Sequence, residues 1–223
     1  RGLGDVYKRQ LLFPSWENTE DNGLDFSQPI YLNLAPNYDA TFTPRYIEER
    51  GEMAELELRH LSKISETIFS GAFLSSDDGG GDDDDINSIT KKKNQEGEDR
   101  WVADLRHNGS IRGWSSSLSY TRASDEDYFQ DLDTTTLEVI SKSYLEQKGA
   151  ATKKIKNWEF LIEGSGYQTL IKDGLDQYKL LPRIQADGNF TVGNFEFSMN
   201  NQFSDYDHNE KSKVTGRRLK LDY

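Results

Sequence analysis

The chain has 223 residues, a formal net charge of −12 and no cysteine. The acidic balance argues against nucleic acid as a partner, since phosphate binding needs a basic surface, and the missing cysteine excludes disulfides and thiolate metal sites. Aromatic residues make up 12% and hydrophobic residues only 34%, a combination that argues against disorder and favours an all-β protein whose strands are apolar on one face.

The first ten residues contain the hexapeptide DVYKRQ. Translation of the end sequence of a transposon-based sequencing adapter gives this hexapeptide. We therefore interpret residues 1–10 as an adapter artefact and exclude them from the fold prediction. On this interpretation, residues 11–223 are one truncated segment of a longer protein.

The first well-patterned strands carry prolines. Residues 29–46 read as two strands joined by a turn, with apolar side chains at every second position. Pro29 and Pro44 nevertheless lie within or beside these strands. Proline has no N–H, so each removes one hydrogen bond from a sheet ladder. Pro36 lies between the two strands and is interpreted as a turn residue.

Alternation of apolar and polar residues continues almost to the end of the chain. It predicts further strands around residues 54–59, 68–74, 101–106, 114–120, 160–166, 184–190 and 195–203, and one more from residue 219. Hairpin turns are predicted at Arg50–Gly51, Asn108–Gly109 and Gly193–Asn194, because such glycine-containing pairs suit tight turns. The expectation is an antiparallel meander of about ten or eleven strands.

One segment, residues 75–99, breaks the alternation and is rich in glycine and aspartate. Such composition is typical of a solvated loop. Its aspartates, Asp77, Asp78 and Asp82 to Asp85, are of the type that binds Ca²⁺, but their spacing does not match an EF-hand loop. We therefore predict no metal site.

Signals for an enzyme are weak. The three histidines lie far apart in sequence, and the chain has no nucleophile elbow, P-loop, dinucleotide fingerprint or zinc-protease motif. The carboxylates of residues 125–133 would suit acid–base chemistry, but a polar turn anchored by Tyr128 and Phe129 is the simpler interpretation. The sequence predicts no catalytic residue and no cofactor.

A long meander favours closure into a barrel, because closure removes the exposed edge strands. In a membrane barrel the apolar face meets lipid, aromatic residues lie near the strand ends and the polar face lines the lumen. Five aromatic residues lie near predicted strand ends: Trp101, Trp114, Tyr120, Tyr144 and Trp158. Candidates for lumen-facing polar residues are Glu55, Glu57, Arg59, Asp104, Arg106, Arg183 and Asp187. A soluble sandwich predicts the same alternation, so the pattern alone leaves both folds open.

Four segments carry a family resemblance. The segment QPIYLNLAPNYDATFTPRYIEERG resembles the first barrel hairpin of the LptD family, the lipopolysaccharide-assembly outer-membrane proteins also called the organic solvent tolerance protein family. The segments SYTRASDEDYFQDLD, YKLLPRIQAD and FSDYDHNEKSKVTGRRLKLDY resemble later parts of that family, in the same order. The resemblance covers about residues 11–223, and the acidic insert at residues 79–99 departs from it.

The resemblance implies a fold, a location and partners. The fold would be the N-terminal portion of a large transmembrane β-barrel in the bacterial outer membrane. Implied partners are lipopolysaccharide, outer-membrane lipid, a plug lipoprotein of the LptE type, and the periplasmic Lpt bridge, which would act through a jellyroll domain missing from this chain. Pro29 and Pro44 match the two prolines of the family's lateral gate, an opening between the first and last barrel strands.

Two other functions fit the same alternating pattern. A passive outer-membrane channel needs the same alternating strands but no gate prolines. A soluble carbohydrate-binding β-protein would use exposed tryptophan and tyrosine side chains as stacking platforms.

Overall fold

The computed structural model describes residues 9–20, 22–79, 96–132, 143–171 and 176–223. Within these ranges the chain forms fourteen strands and one short helix, so the all-β prediction is confirmed. No helix in the described ranges is long and apolar enough to cross a membrane. The elements are β1 (Arg9–Leu11), β2 (Ser15–Thr19), β3 (Gly23–Ser27), β4 (Ile30–Ala35), β5 (Tyr38–Ile47), β6 (Gly51–Leu61), β7 (Ser65–Leu74), β8 (Arg100–Ile111), β9 (Trp114–Ala123), α1 (Tyr128–Asp131), β10 (Tyr144–Ile155), β11 (Trp158–Thr169), β12 (Lys179–Val192), β13 (Phe195–Asp207) and β14 (Gly216–Asp222).

Strands β4 to β14 follow one another in the sheet in chain order, which confirms the predicted meander. The short strands β1, β2 and β3 precede it: β1 pairs with β4, β2 with β3, and β3 with β5. The sequence prediction did not include β1 and β2, since clear alternation begins only at Leu24. Strand β1 also contains Arg9 and Gln10, which belong to the segment interpreted as an adapter artefact.

One predicted turn is wrong. Asn108 and Gly109 lie inside β8, and the reversal occurs at Arg112–Gly113 instead. Both Arg112 (φ 52°) and Gly113 (φ 79°) adopt the left-handed backbone conformation that a tight hairpin turn of this kind needs at its two central residues. The turn at Gly193–Asn194 is confirmed, and Gly193 there has a φ of 64°.

The chain divides into two compact units. The first unit contains the described parts of residues 1–61, 68–104 and 123–139. The second contains the described parts of residues 62–67, 105–122 and 140–223.

In the first unit several polar side chains are buried on one face of the strands, while aromatic side chains are exposed on the other. Along β5, polar Thr43 and Arg45 are buried, whereas Phe42 and Tyr46, which alternate with them, are 39% and 49% exposed. Glu55 on β6 is fully buried. A soluble sheet buries its apolar row, so this arrangement is typical of strands whose outer face contacts lipid.

The second unit repeats the pattern on its longest hairpin. On β13, Phe195 and Phe197 are exposed on one face. On the opposite face Asn200 donates to Asp187 of β12 at 2.5 Å, and Gln185 donates to the other oxygen of that carboxylate at 2.7 Å. Polar side chains are therefore bonded to one another on one face while the other face presents aromatic rings.

The aromatic residues expected near strand ends lie close to them in most cases. Trp114, Tyr144 and Trp158 are each the first residue of a strand, and Trp101 is the second residue of β8. Tyr120 is farther in, three residues before the end of β9. These positions suit an aromatic band at a membrane interface.

Candidate functional site

The first five strands, residues 9–47, are here called the leading edge. Two positions in this part of the sheet are each occupied by two short strands in line, here called a row: β3 with β4, and β1 with β2. Strands β3 and β4 both pair with β5, and the break between them consists of Gln28 and Pro29. Ser27 lies opposite Arg45 and Ile30 lies opposite Phe42. Three steps on one strand thus match three on the other, so the register passes through the break without an inserted residue.

The second broken row consists of β1 and β2, which lie beside β4 and β3. Leu11 lies opposite Ile30, and Ser15 lies opposite Ser27. Four steps along this row match only three along its partner, so one extra residue is accommodated as a bulge at residues 12–14. Pro14 lies in that bulge, a location where proline costs little.

Pro44 removes one hydrogen bond between β5 and the row of β3 and β4. The N–H of Gln28 donates to the carbonyl oxygen of Pro44 at 3.1 Å. In an antiparallel ladder such a pair normally exchanges two bonds. Because Pro44 has no N–H, it cannot donate to Gln28 in return.

Pro29 removes one hydrogen bond between the row of β3 and β4 and the row of β1 and β2. The N–H of Leu12 donates to the carbonyl oxygen of Pro29 at 3.0 Å. The return bond, from residue 29 to the Leu12 carbonyl, is impossible for proline. Pro29 and Pro44 therefore weaken two successive ladders at nearly the same level, while Pro36 lies in the turn between β4 and β5, as predicted.

The predicted lumen-facing residues of the first unit lie on its polar face. Glu55 accepts a bond from Arg45 at 3.1 Å, and Arg45 also bonds Asp25 at 2.9 Å. Arg59 pairs with Asp39 at 2.7 Å and lies 3.6 Å from Glu57. The remaining member of the set in this unit, Asp104, is buried.

The predicted lumen-facing residues of the second unit are Arg106, Arg183 and Asp187. Arg183 lies 3.8 Å from Glu163, which also pairs with Lys148 at 3.2 Å. Asp187 is held by the amides of Gln185 and Asn200 described above. Arg106 lies on β8, on the same face as Asp104 by strand alternation.

A buried group of five charged residues, here called the arginine–aspartate cluster, joins four chain segments of the first unit. Arg100, at the start of β8, lies 2.9 Å from Asp77, 3.0 Å from Asp131 and 2.8 Å from Asp125. Arg50, in the turn after β5, lies 3.1 Å from Asp77 and 3.9 Å from Asp131. These pairs tie the turn after β5, the segment after β7, the start of β8 and the segment after β9 to one another.

Helix α1 is held against this cluster by its aromatic residues. Tyr128 and Phe129 are buried, as the sequence predicted for anchors, and their rings meet edge to face at 5.2 Å. The Arg100 guanidinium lies 5.7 Å from the centre of the Tyr128 ring. Burial raises the pKa of the Tyr128 hydroxyl, which has no hydrogen-bond partner among the described residues.

The acidic insert is only partly described. Asp77 belongs to the arginine–aspartate cluster, and the N–H of Asp78 donates to the Arg50 carbonyl at 3.1 Å. The other aspartates of the type that binds Ca²⁺, Asp82 to Asp85, lie outside the described residues. In the part of the chain that is described, no group of three or more histidine, aspartate or glutamate side chains is placed to hold a metal ion.

Sequence reasoning missed the arginines and Gln28. Arg45, Arg50 and Arg100 were not singled out, although alternation already placed Arg45 on the polar face of its strand. Their partners are 10 to 81 residues away in sequence, and no local pattern reveals such contacts. Gln28 gave no signal beyond its position next to a proline.

Asp125 makes the segment after β9 sensitive to acid. Burial alone would raise the pKa of Asp125, but hydrogen bonds from Arg100 and Ser124 outweigh it and hold the pKa below its usual 3.8. A lowered folded-state pKa stabilises the fold at neutral pH, and this contribution is lost as the pH falls through that value. We expect residues 124–132 to loosen below pH 3.8, as measured by the anisotropy of a fluorescent label on Gln130→Cys.

The matched variants for this prediction are Asp125→Asn and Glu126→Gln. Asp125→Asn removes the ion pair, so we expect a looser segment at pH 7 and a flatter dependence on pH. Glu126 is an exposed neighbour, and Glu126→Gln should leave the curve unchanged. Identical curves for Asp125→Asn and the unmodified protein would contradict the prediction.

Comparison with known proteins gives one consistent answer. Residues 98–223 match the family model described as LptD, LPS transport system D. The chain is 37% identical to the LPS-assembly protein LptD of Saccharophagus degradans, over 99% of this chain and 28% of the relative. It is 35% identical to the LPS-assembly protein LptD of Alcanivorax borkumensis, over 97% of this chain and 27% of that relative. It is 34% identical to the LPS-assembly protein LptD of Pseudomonas aeruginosa, over 97% of this chain and 24% of that relative. The chain thus spans about a quarter of the length of these relatives.

Proposed function

Because the chain belongs to the LptD family, we propose that it forms the first strands of a larger outer-membrane barrel that inserts lipopolysaccharide into the outer leaflet. In this proposal the lipid leaves sideways through a seam at the leading edge. The observation that carries it is the pair of one-sided ladder bonds at Pro29 and Pro44. Barrel strands normally exchange every bond, since unpaired backbone groups are costly in hydrocarbon.

The two faces of the sheet suit the two parts of the substrate. Lipopolysaccharide combines a bulky polar sugar portion with several acyl chains. The polar face, with Glu55, Arg59 and Asp104 in the first unit and Arg183 and Asp187 in the second, would line a wet lumen for the sugars. The exposed apolar face would contact lipid, where the acyl chains end. This face also argues against the soluble carbohydrate-binding alternative.

The size of the proline effect fits a gate. A backbone hydrogen bond contributes about 1 kcal/mol net to stability. Losing one or two such bonds would shift the equilibrium between closed and open seam by roughly 5- to 30-fold, since 1.4 kcal/mol is a factor of ten. An effect of this size permits transient opening while the rest of the sheet stays paired.

The proposal includes partners that this chain does not contain. A jellyroll domain outside this segment would receive lipid from the periplasmic Lpt bridge. A plug lipoprotein of the LptE type would occupy the lumen beside the polar face. Both follow from family membership and from the polar lining.

The test is the double substitution Pro29→Ala and Pro44→Ala in the full-length protein. Restored N–H groups should complete both ladders and slow the arrival of lipopolysaccharide at the outer surface of proteoliposomes by roughly 5- to 30-fold. Pro36→Ala, in the turn, is the control and should leave the rate unchanged. Delivery at the normal rate in the double variant would favour a passive channel instead.

A further inference from the structure

Gln28 is a polar residue in an otherwise apolar row. Alternation along β3, the break and β4 places it on the same face as Leu24, Phe26, Ile30 and Leu32. A primary amide facing hydrocarbon is costly unless its donors are bonded. The partners of this amide therefore explain why it is tolerated there.

The Gln28 amide bonds the two carbonyls at the broken ladder. Its Nε2 donates to the carbonyl oxygen of Leu12 at 2.9 Å and to that of Pro29 at 3.1 Å. The Leu12 carbonyl is the acceptor that the backbone of residue 29 would serve if it were not proline. The side chain of one residue thus occupies the position left by the missing N–H of the next.

We propose that Gln28 is a positioning residue that latches the leading edge, replacing the backbone donor that Pro29 lacks. The proposal rests on the seam proposed above and adds the interaction that must break before this seam opens. A backbone bond breaks only when the strand itself moves, whereas a glutamine amide can rotate away while the strand stays in place. Pro29 and Gln28 together therefore give a seam that is closed at rest and releasable by one side chain.

The proposal predicts a specific coupling between Gln28 and Pro29. In the full-length protein in lipid nanodiscs, Gln28→Ala should raise the hydrogen-exchange rate of the Leu12 amide by about 5- to 10-fold, the effect of one hydrogen bond. In a Pro29→Ala background the backbone supplies its own donor to the Leu12 carbonyl. There Gln28→Ala should change the rate by less than about twofold.

Two further variants sharpen the test. Gln28→Glu keeps the size of the side chain but removes the donors, so it should behave like Gln28→Ala. Gln147→Ala is the matched control, because the Gln147 amide also donates to a strand carbonyl, that of Thr121 at 3.4 Å, but lies on β10. It should not alter exchange at Leu12.

The outcomes separate this inference from the proposed function. An equal effect of Gln28→Ala in both backgrounds would overturn the latch, whether or not the prolines control delivery. Coupling at Leu12 together with unchanged lipopolysaccharide delivery in every variant would support the latch and reject the gate. Coupling together with faster delivery in Gln28→Ala would support both.

Discussion

Replacing Arg100 with alanine is expected to destabilise the first unit by about 3–5 kcal/mol, the usual cost of removing one partner from a buried ion pair. Arg100 is 1% exposed and contacts Asp77, Asp125 and Asp131. Asp77 is fully buried, so its charge would keep only Arg50 as an ion-pair partner among the pairs described here. The measurement is thermal unfolding of the full-length protein in detergent, followed by circular dichroism.

Arg217→Ala is the matched control for this prediction. Arg217 pairs with Asp205 at 3.1 Å, but its side chain is 77% exposed. Exposed ion pairs contribute about 0–1 kcal/mol, so the control should unfold close to the unmodified temperature. Equal unfolding temperatures for Arg100→Ala and Arg217→Ala would show that the arginine–aspartate cluster does not stabilise the fold.

Replacing Arg45 with methionine is expected to have an effect of similar size, about 3–5 kcal/mol. Arg45 joins three strands, because it bonds Asp25 on β3 and Glu55 on β6 from its own position on β5. Methionine fills much of the same space but leaves the fully buried Glu55 without this cation. Adding Glu55→Gln should recover part of the loss, since a neutral amide costs less to bury than a carboxylate.

Arg59→Met provides the comparison for Arg45. It lies on the same polar face and pairs with Asp39, but its side chain is 48% exposed. Its replacement should cost no more than about 1 kcal/mol. If Glu55→Gln further destabilised Arg45→Met instead of rescuing it, a buried charge would not explain the loss.

The leading edge contains both buried ion pairs, which stabilise the sheet, and prolines, which remove ladder hydrogen bonds from it. Arg45, on β5 next to Pro44, and Arg100, at the start of β8, bind carboxylates from several segments at distances of about 3 Å. At Pro29 and Pro44, two ladder pairs have only one bond each. In the pairing between β3 and β5, the Arg45–Asp25 ion pair therefore lies directly beside the ladder bond that Pro44 removes.

The strand pattern was predictable from sequence because it is a local property. Alternation with period two placed Phe42 and Tyr46 on one face and Thr43 and Arg45 on the other, and the exposures agree. The same local logic failed at Asn108–Gly109. That pair suits a hairpin turn, but Arg112–Gly113 adopts the required backbone, and β8 runs on to Ile111.

The sequence by itself determined the all-β class, the meander, the two faces of the strands with clear alternation and the family, because these depend on short-range pattern and on motifs. Only the tertiary structure placed residues 9–19 beside β3 and β4, the Gln28 amide on the Leu12 carbonyl, and Arg100 among three aspartates. The contacts of Gln28 and Arg100 join residues that are 16 to 31 positions apart in sequence. They depend on strand register and on where the chain turns, and a change of one residue in register would remove them.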